Sequence, residues 1–328
     1  MKLHTYAFLA AAAACGLASA QTTAYTTPVG YETINLAPGT NTMGVRLHNP
    51  VVVAGVLETI SATQMTDLQV DFDAVLTGGA STFYIVEFLN DSGVIQEVTG
   101  ASGTNSTLTL VEDITASVSA GARYQIRAAS TLASIFGATN SAGLTPGFSG
   151  PTDADIISVP DGAGGFFEYF YDEDNSSWAN AADNSLVDGS TVPLVYTDGL
   201  FVFTNAPETL TVSGEIVKDS KLQGLASGFN NLGSVFPVGA TLDTMFGSNL
   251  AVIHPGFSGP TDADIVYVPN GAGFDEYFYD EDNSSWARAS DNSLVDPTSV
   301  SLPSGLLYFN AAGSFTIENM APAAYSTL

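Results

Sequence analysis

The segment Pro146–Asp188, PGFSGPTDADIISVPDGAGGFFEYFYDEDNSSWANAADNSLVD, returns as Pro255–Asp296, PGFSGPTDADIVYVPNGAGFDEYFYDEDNSSWARASDNSLVD; with one gap opposite Gly165, 36 of 42 aligned positions are identical. Identity at that level, shared by apolar and polar positions, calls for two equivalent environments, so the chain is expected to fold as two like halves. Weaker likeness extends upstream. TLASIFG (131–137) answers TLDTMFG (241–247), and GTNTMGVRLHNP (39–50) answers GFNNLGSVFPV (228–238). The first half is longer by an insert from about Val51 to Ala128. The expected division is a leader over 1–20, a first half over 21–206 and a second half over 207–328.

Short alternating runs rich in β-branched and aromatic residues dominate both halves and the insert, where TFYIVEFL, VIQEV, STLTLVED and RYQIRA are separated by polar turns. Helix signals are sparse: TLASIFG and TLDTMFG read as single turns with Thr131 or Thr241 as N-cap and Gly137 or Gly247 as stop, and ETISATQM (58–65) is ambiguous between helix and strand. The fold class is therefore all-β: two β-sandwich or barrel-like halves, the first carrying a small inserted β-meander. Within the repeat, ADIISV and FFEYFY read as paired strands joined by PDGAGG. DEDNSS then turns the chain into a third strand that begins at Trp178. Alternation puts Phe167, Tyr169 and Tyr171 on one face and Phe166, Glu168 and Phe170 on the other.

The first twenty residues carry a basic Lys2, a short apolar run and Ala18-Ser19-Ala20, the pattern of a cleaved secretory signal. Cys15, the only cysteine, lies in that run, which leaves a lipoprotein anchor as a rival reading and no disulfide in either case. An exported chain of this length without a disulfide must be held by its own cores. Seven Lys and Arg stand against 34 Asp and Glu, a net charge of −27. Such a surface repels nucleic acid and anionic membranes and excludes both as partners. At 45% apolar residues, the chain is not disordered.

Trp178 and Trp286 are the only tryptophans and sit at the same place in each half. Each reads either as a core anchor or as an exposed stacking platform for a sugar, with Tyr169 and Tyr171, or Tyr277 and Tyr279, beside it. The acids raise calcium as the one cofactor left open. Asp172, Asp174, Ser176, Trp178, Asn180 and Asp183 fall at positions 1, 3, 5, 7, 9 and 12 of a calcium loop. The glycine required at position 6 is Ser177, and no helices flank the loop, so the match to an EF-hand is poor. The second copy offers Asp280, Asp282 and Asp291, with Arg288 at position 9. Asp153 with Asp155, and Asp262 with Asp264, add a D-x-D pair to each half.

No active site assembles from the sequence. None of the three histidines has a metal-ligand neighbour, GFSG lacks the spacing of a nucleophile elbow, and acids are too abundant for a pair such as Glu168 and Asp172 to mark glycoside hydrolysis. The G-x-N strands, the TLxxxFG turns, the Y-x-Y-D strand, the tryptophan and the late GLFVF or GLLYF together resemble a family of exported proteins present in several copies in verrucomicrobial bacteria, to which no activity is assigned. The resemblance implies export and a two-half β architecture, and carries over no mechanism. The expectation is thus a secreted, non-catalytic structural or adhesive protein of the cell surface or extracellular matrix, partnered by polysaccharide or other surface proteins. The alternative is a carbohydrate-binding protein with one aromatic and acidic site per half, assisted by calcium. Packing accounts for the aromatic part of EYFYDEDNSSWA, so the DEDNSS tip is where function is expected.

Overall fold

A computed structural model of the chain describes residues 29–78, 82–89, 93–99, 105–162, 164–271 and 273–327. The expected signal peptide, with Cys15, lies outside the described residues. Among them, no helix is long and apolar enough to cross a membrane.

The chain is all-β. In the first half, the strands Leu186–Val187, Ser177–Asn180, Phe166–Asp172, Ile156–Pro160, Gly199–Thr204 and Gly39–Gly44 lie side by side in that order as one antiparallel sheet. In the second half the equivalent strands Leu294–Val295, Ser285–Arg288, Phe274–Asp280, Ile265–Pro269, Gly305–Asn310 and Gly228–Gly233 repeat the order. A two-stranded ribbon covers the inner face of each sheet. Val29–Leu36 pairs with Glu208–Glu215 in the first half, and Lys221–Leu225 with Phe315–Asn319 in the second. Leu36, Leu210 and Val212 of the first ribbon close on Met43, Ile157, Leu200 and Val202 of its sheet; Leu225 and Ile317 close on Leu232, Val266, Leu306 and Tyr308 in the second. By strand pairing, 208–215 goes with the first half, so the topological division lies between 215 and 221, one strand later than expected.

Both single-turn helices form where the threonines predict. The Thr131 hydroxyl accepts from Ser134 N and the Ser134 hydroxyl from Thr131 N, a reciprocal cap that Thr241 and Thr244 repeat. The insert begins at Val51 and ends at Ala128, and its first strand, Val51–Val56, pairs with its last, Arg123–Ala128, which closes the expected meander on itself. ETISATQM, ambiguous in sequence, is a hairpin of Thr59–Ser61 and Gln64–Thr66. The insert has its own core of Leu57, Met65, Phe72, Phe88, Leu108, Tyr124 and Ile126.

The G-x-N-x-x-G strands join the halves. Gly39 and Gly228 have φ of 103° and 91°, and the Asn41 and Asn230 side chains tie off the turns before them, each accepting from and donating to the backbone four residues earlier. Met43 and Leu232 point into the cores. Thr40, Thr42 and Gly44, and Phe229, Asn231 and Gly233, therefore point outward. It is through these outward faces that the halves touch: a Cβ on Gly44 would land on the Ser304 carbonyl oxygen, and one on Gly233 on that of Tyr196. The Thr42 hydroxyl donates to Gly305 O at 2.9 Å. A Cβ on Gly305 would lie 2.7 Å from Cα and carbonyl carbon of Met43, backbone that cannot rotate away. Gly305→Ala is accordingly expected to cost about 1–3 kcal/mol in chemical denaturation. Gly224→Ala, with nothing within 4 Å of its Cβ, is the silent control.

Candidate functional site on the outward sheet faces

The strand Phe166–Asp172 and its repeat set the chemistry of each half because both of their faces are aromatic. Tyr169, Tyr171 and Trp178 turn inward, with 8, 9 and 1% of their surface exposed. The Trp178 indole donates from Nε1 to Gly137 O at 3.0 Å and meets Phe136 and Tyr171 edge-on. Tyr277 and Trp286 are as deeply buried, and Tyr279 packs against them from the rim. The expected sugar platform of Tyr169, Tyr171, Trp178, Tyr277, Tyr279 and Trp286 is thereby corrected: five of these side chains are core, Tyr279 is half-buried against them, and the tryptophans are anchors.

The acidic tip is also structural. The loop 146–155 folds over the outer face of the hairpin and buries Phe170 with Ala154 and Ala179. Gly147 N donates to Tyr171 O at 2.8 Å and Glu173 N to Gly147 O at 3.1 Å, so loop and tip bridge like adjacent strands. Asp172, 5% exposed, accepts from Asn175 N and Nδ2. Asp174 accepts from the backbone of Ser149, which is held at φ 58°, and Ser176 takes φ 49° within the turn. Asp280, Asp282, Ser258 and Ser284 repeat each feature. The tip is held by bonds within itself, Asp172 to Asn175, and to the repeated loop, Asp174 to Ser149 and Glu173 N to Gly147 O, so local hydrogen bonding accounts for part of what the sequence left unexplained.

The candidate calcium ligands do not converge. Asp183 and Asp291 cap Ser185 and Ser293 in local turns. Asp155 and Asp264 are buried and saturated: Asp155 by Thr145 N and Asn205, Asp264 by His254 N, Tyr308 Oη and Ala311 N. Among the described residues, no three acidic, histidine or cysteine side chains are grouped to hold a metal ion.

What faces outward is a second aromatic set that the sequence reading passed over. On the first sheet Phe166 and Phe203 are 40 and 41% exposed, and Phe166 lies 5.2 Å from Phe201. On the second, Phe229 is 65% exposed and contacts Phe309 at 5.0 Å and Tyr267 at 5.8 Å, while Tyr267 meets Phe274 edge-on. Glu168 and Glu276 border these rows. Grooves flank the glycine contact between the halves. One is lined by Phe166 and Phe229 with Gly162, Gly164 and Gly165, the other by Phe274 and Thr40 with Gly271 and Gly273. The signal in the sequence was GLFVF and GLLYF, whose alternation must send Phe201 and Phe203, or Leu307 and Phe309, to the side opposite the core.

A further groove, between the insert and both halves, is lined by Glu97, Glu112, Asp198, Gln96 and Gln223. Burial pushes the half-buried Asp198 carboxyl up to about 7, and the charge of Glu97 adds to the shift. Between the ordinary carboxylate range and about pH 7 the folded chain therefore holds a proton that the unfolded chain has released, so this group's contribution falls as pH rises through that window. Asp198→Asn is expected to abolish the fall and to be about 2 kcal/mol more stable than the parent at pH 8, allowing for partial solvent screening. His48, buried and neutral with its pKa lowered to about 3, gives the opposite slope below its ordinary value. It cancels when parent and variant are compared in urea melts at each pH.

In comparisons with known proteins, no family model matches the chain and no curated sequence is significantly similar to it.

Proposed function

We propose that the protein is an exported, non-catalytic adhesive component that holds a neutral polysaccharide across the outward aromatic faces of its two sheets. The observation that carries this reading is the recurrence of outward-facing rings at equivalent places in both halves: Phe166 and Phe274, each exposed and each lining a groove at the junction, and Phe203, exposed, with Phe309, half-buried, beside them. Exposed apolar patches of this kind mark interaction surfaces. The C–H face of a sugar ring packs on aromatic rings while its hydroxyls reach Glu168 and Glu276. Charge argues for a neutral chain: Arg46 pairs with Glu32, Arg127 and Lys221 are buried, and Arg288 lies 5.5 Å over Tyr277, so little basic surface remains for an anionic polymer. The protein is expected to be retained on insoluble cellulose or chitin, and Phe229→Ser with Phe274→Ser to weaken retention at least tenfold without changing the melting temperature. Equal retention of the double variant, or none by the parent, would sink the proposal.

A second reading, glycoside hydrolysis, is favoured by Asp198 alone, since a carboxyl protonated near neutrality beside Glu97 suits a general acid. Release of reducing sugar by the parent that Asp198→Asn abolishes would establish it over the first.

A further inference from the structure

We propose that Lys221 and Asn319 are joined side chain to side chain by an isopeptide bond that ties the first strand of the second half to its last. The two residues are directly opposed in the antiparallel pair of Lys221–Leu225 with Phe315–Asn319. Directly opposed Cβ atoms lie about 4.5–5.5 Å apart, within the reach of a lysine stem. Lys221 is 0% exposed and Asn319 2%. Lys221 Nζ and Asn319 Nδ2 are both buried without a hydrogen-bond partner. An ammonium group sealed in this way is among the most unfavourable things a core can contain, and an unbonded amide nitrogen beside it compounds the cost. Joining the two removes both orphans and leaves one neutral amide.

The surroundings suit the reaction. Burial lowers the basicity of Lys221, which favours the neutral amine, and Glu87 is the acid whose charge acts on it most strongly. Glu87 is fully buried on the insert strand Phe83–Phe88, and Gly93 of the insert accepts from Leu222 N, next to Lys221, at 2.8 Å. In the reaction the Nζ lone pair attacks Cγ of Asn319. The Nζ–Cγ bond forms, the Cγ–Nδ2 bond breaks, and one proton passes from Nζ to Nδ2. Nδ2 leaves as ammonia, the product amide keeps one N–H, and nothing is oxidised or reduced. The first half has no such pair: Glu32, at the position of Lys221, pairs with Arg46, and Val212 stands where Asn319 does.

Intact mass and tryptic mapping of the full chain test the bond. The mass is expected to fall short of the sequence mass by one ammonia, trypsin to leave Lys221 uncut, and a branched peptide to link Lys221 to Asn319. Lys221→Arg and Asn319→Ala should restore the full mass expected for each variant sequence. Separate linear peptides cut after Lys221 in the parent protein would overturn the proposal. So would ammonia loss that persists in Lys221→Arg, since that marks a succinimide at Asn319. The parent's peptide map decides even where a variant does not fold.

Discussion

Trp178→Ala is expected to destabilise the first half by about 3–5 kcal/mol, the range for removing a large buried aromatic side chain. The indole is 1% exposed and lies between Phe136 and Tyr171, with Gly189 close enough that a Cβ there would sit 2.7 Å from the ring. Its N–H also donates to the carbonyl of Gly137, the residue that stops the helical turn, so truncation leaves a cavity and removes that bond, although Asn140 N still donates to the same oxygen. Trp178→Phe restores part of the volume without the donor and should lie between the two. Urea denaturation followed by far-ultraviolet circular dichroism measures both. A loss for Trp178→Ala below about 1 kcal/mol would return the side chain to the surface role that its burial excludes.

That prediction also shows where the sequence stops being legible. Strand positions, the capped turns and the limits of the insert were readable, because alternation, threonine caps and the repeat each act locally. The inward face of FFEYFY was not. Both of its faces are aromatic, and which one is covered depends, for Tyr169 and Tyr171, on a ribbon drawn from distant segments, Val29–Leu36 and Glu208–Glu215, and on the loop 146–155 for Phe170. The identity of DEDNSS was visible, but not that Glu173 and Asp174 are hydrogen-bonded to PGFSGP, a contact that spacing does not reveal. Conservation of the two segments together was the available sign. The charged cluster between the insert and the two halves left none beyond the scarcity of basic residues.

Arg127→Leu is expected to cost about 3–5 kcal/mol, and to loosen the insert before the rest of the chain. Arg127 is 2% exposed and carried by the last strand of the insert. Its Nε donates to Glu87 at 3.2 Å, and its Nη1 to Asn49 O at 2.7 Å and to Glu215 at 3.4 Å. Glu87 also receives the Tyr196 hydroxyl at 2.7 Å and the Gln125 amide. Removing the guanidinium leaves the carboxylates of Glu87 and Glu215 without the cation that bonds both of them. Hydrogen exchange should report faster opening of Val51–Val56 and Arg123–Ala128, while the Trp286 core keeps its protection. Uniform loss of protection would mean that the insert is not separately clamped.

The outermost strand of each six-stranded sheet on the side away from the junction, Leu186–Val187 or Leu294–Val295, is two residues long. So short a ladder gives a neighbouring molecule almost no unpaired backbone on which to add a strand. At the other margin, Gly39–Gly44 and Gly228–Gly233 are engaged with the opposite half. Many copies crowded on one surface would thus be protected against cross-β fibre growth from these two sheets, and contact between them would have to run ring against ring.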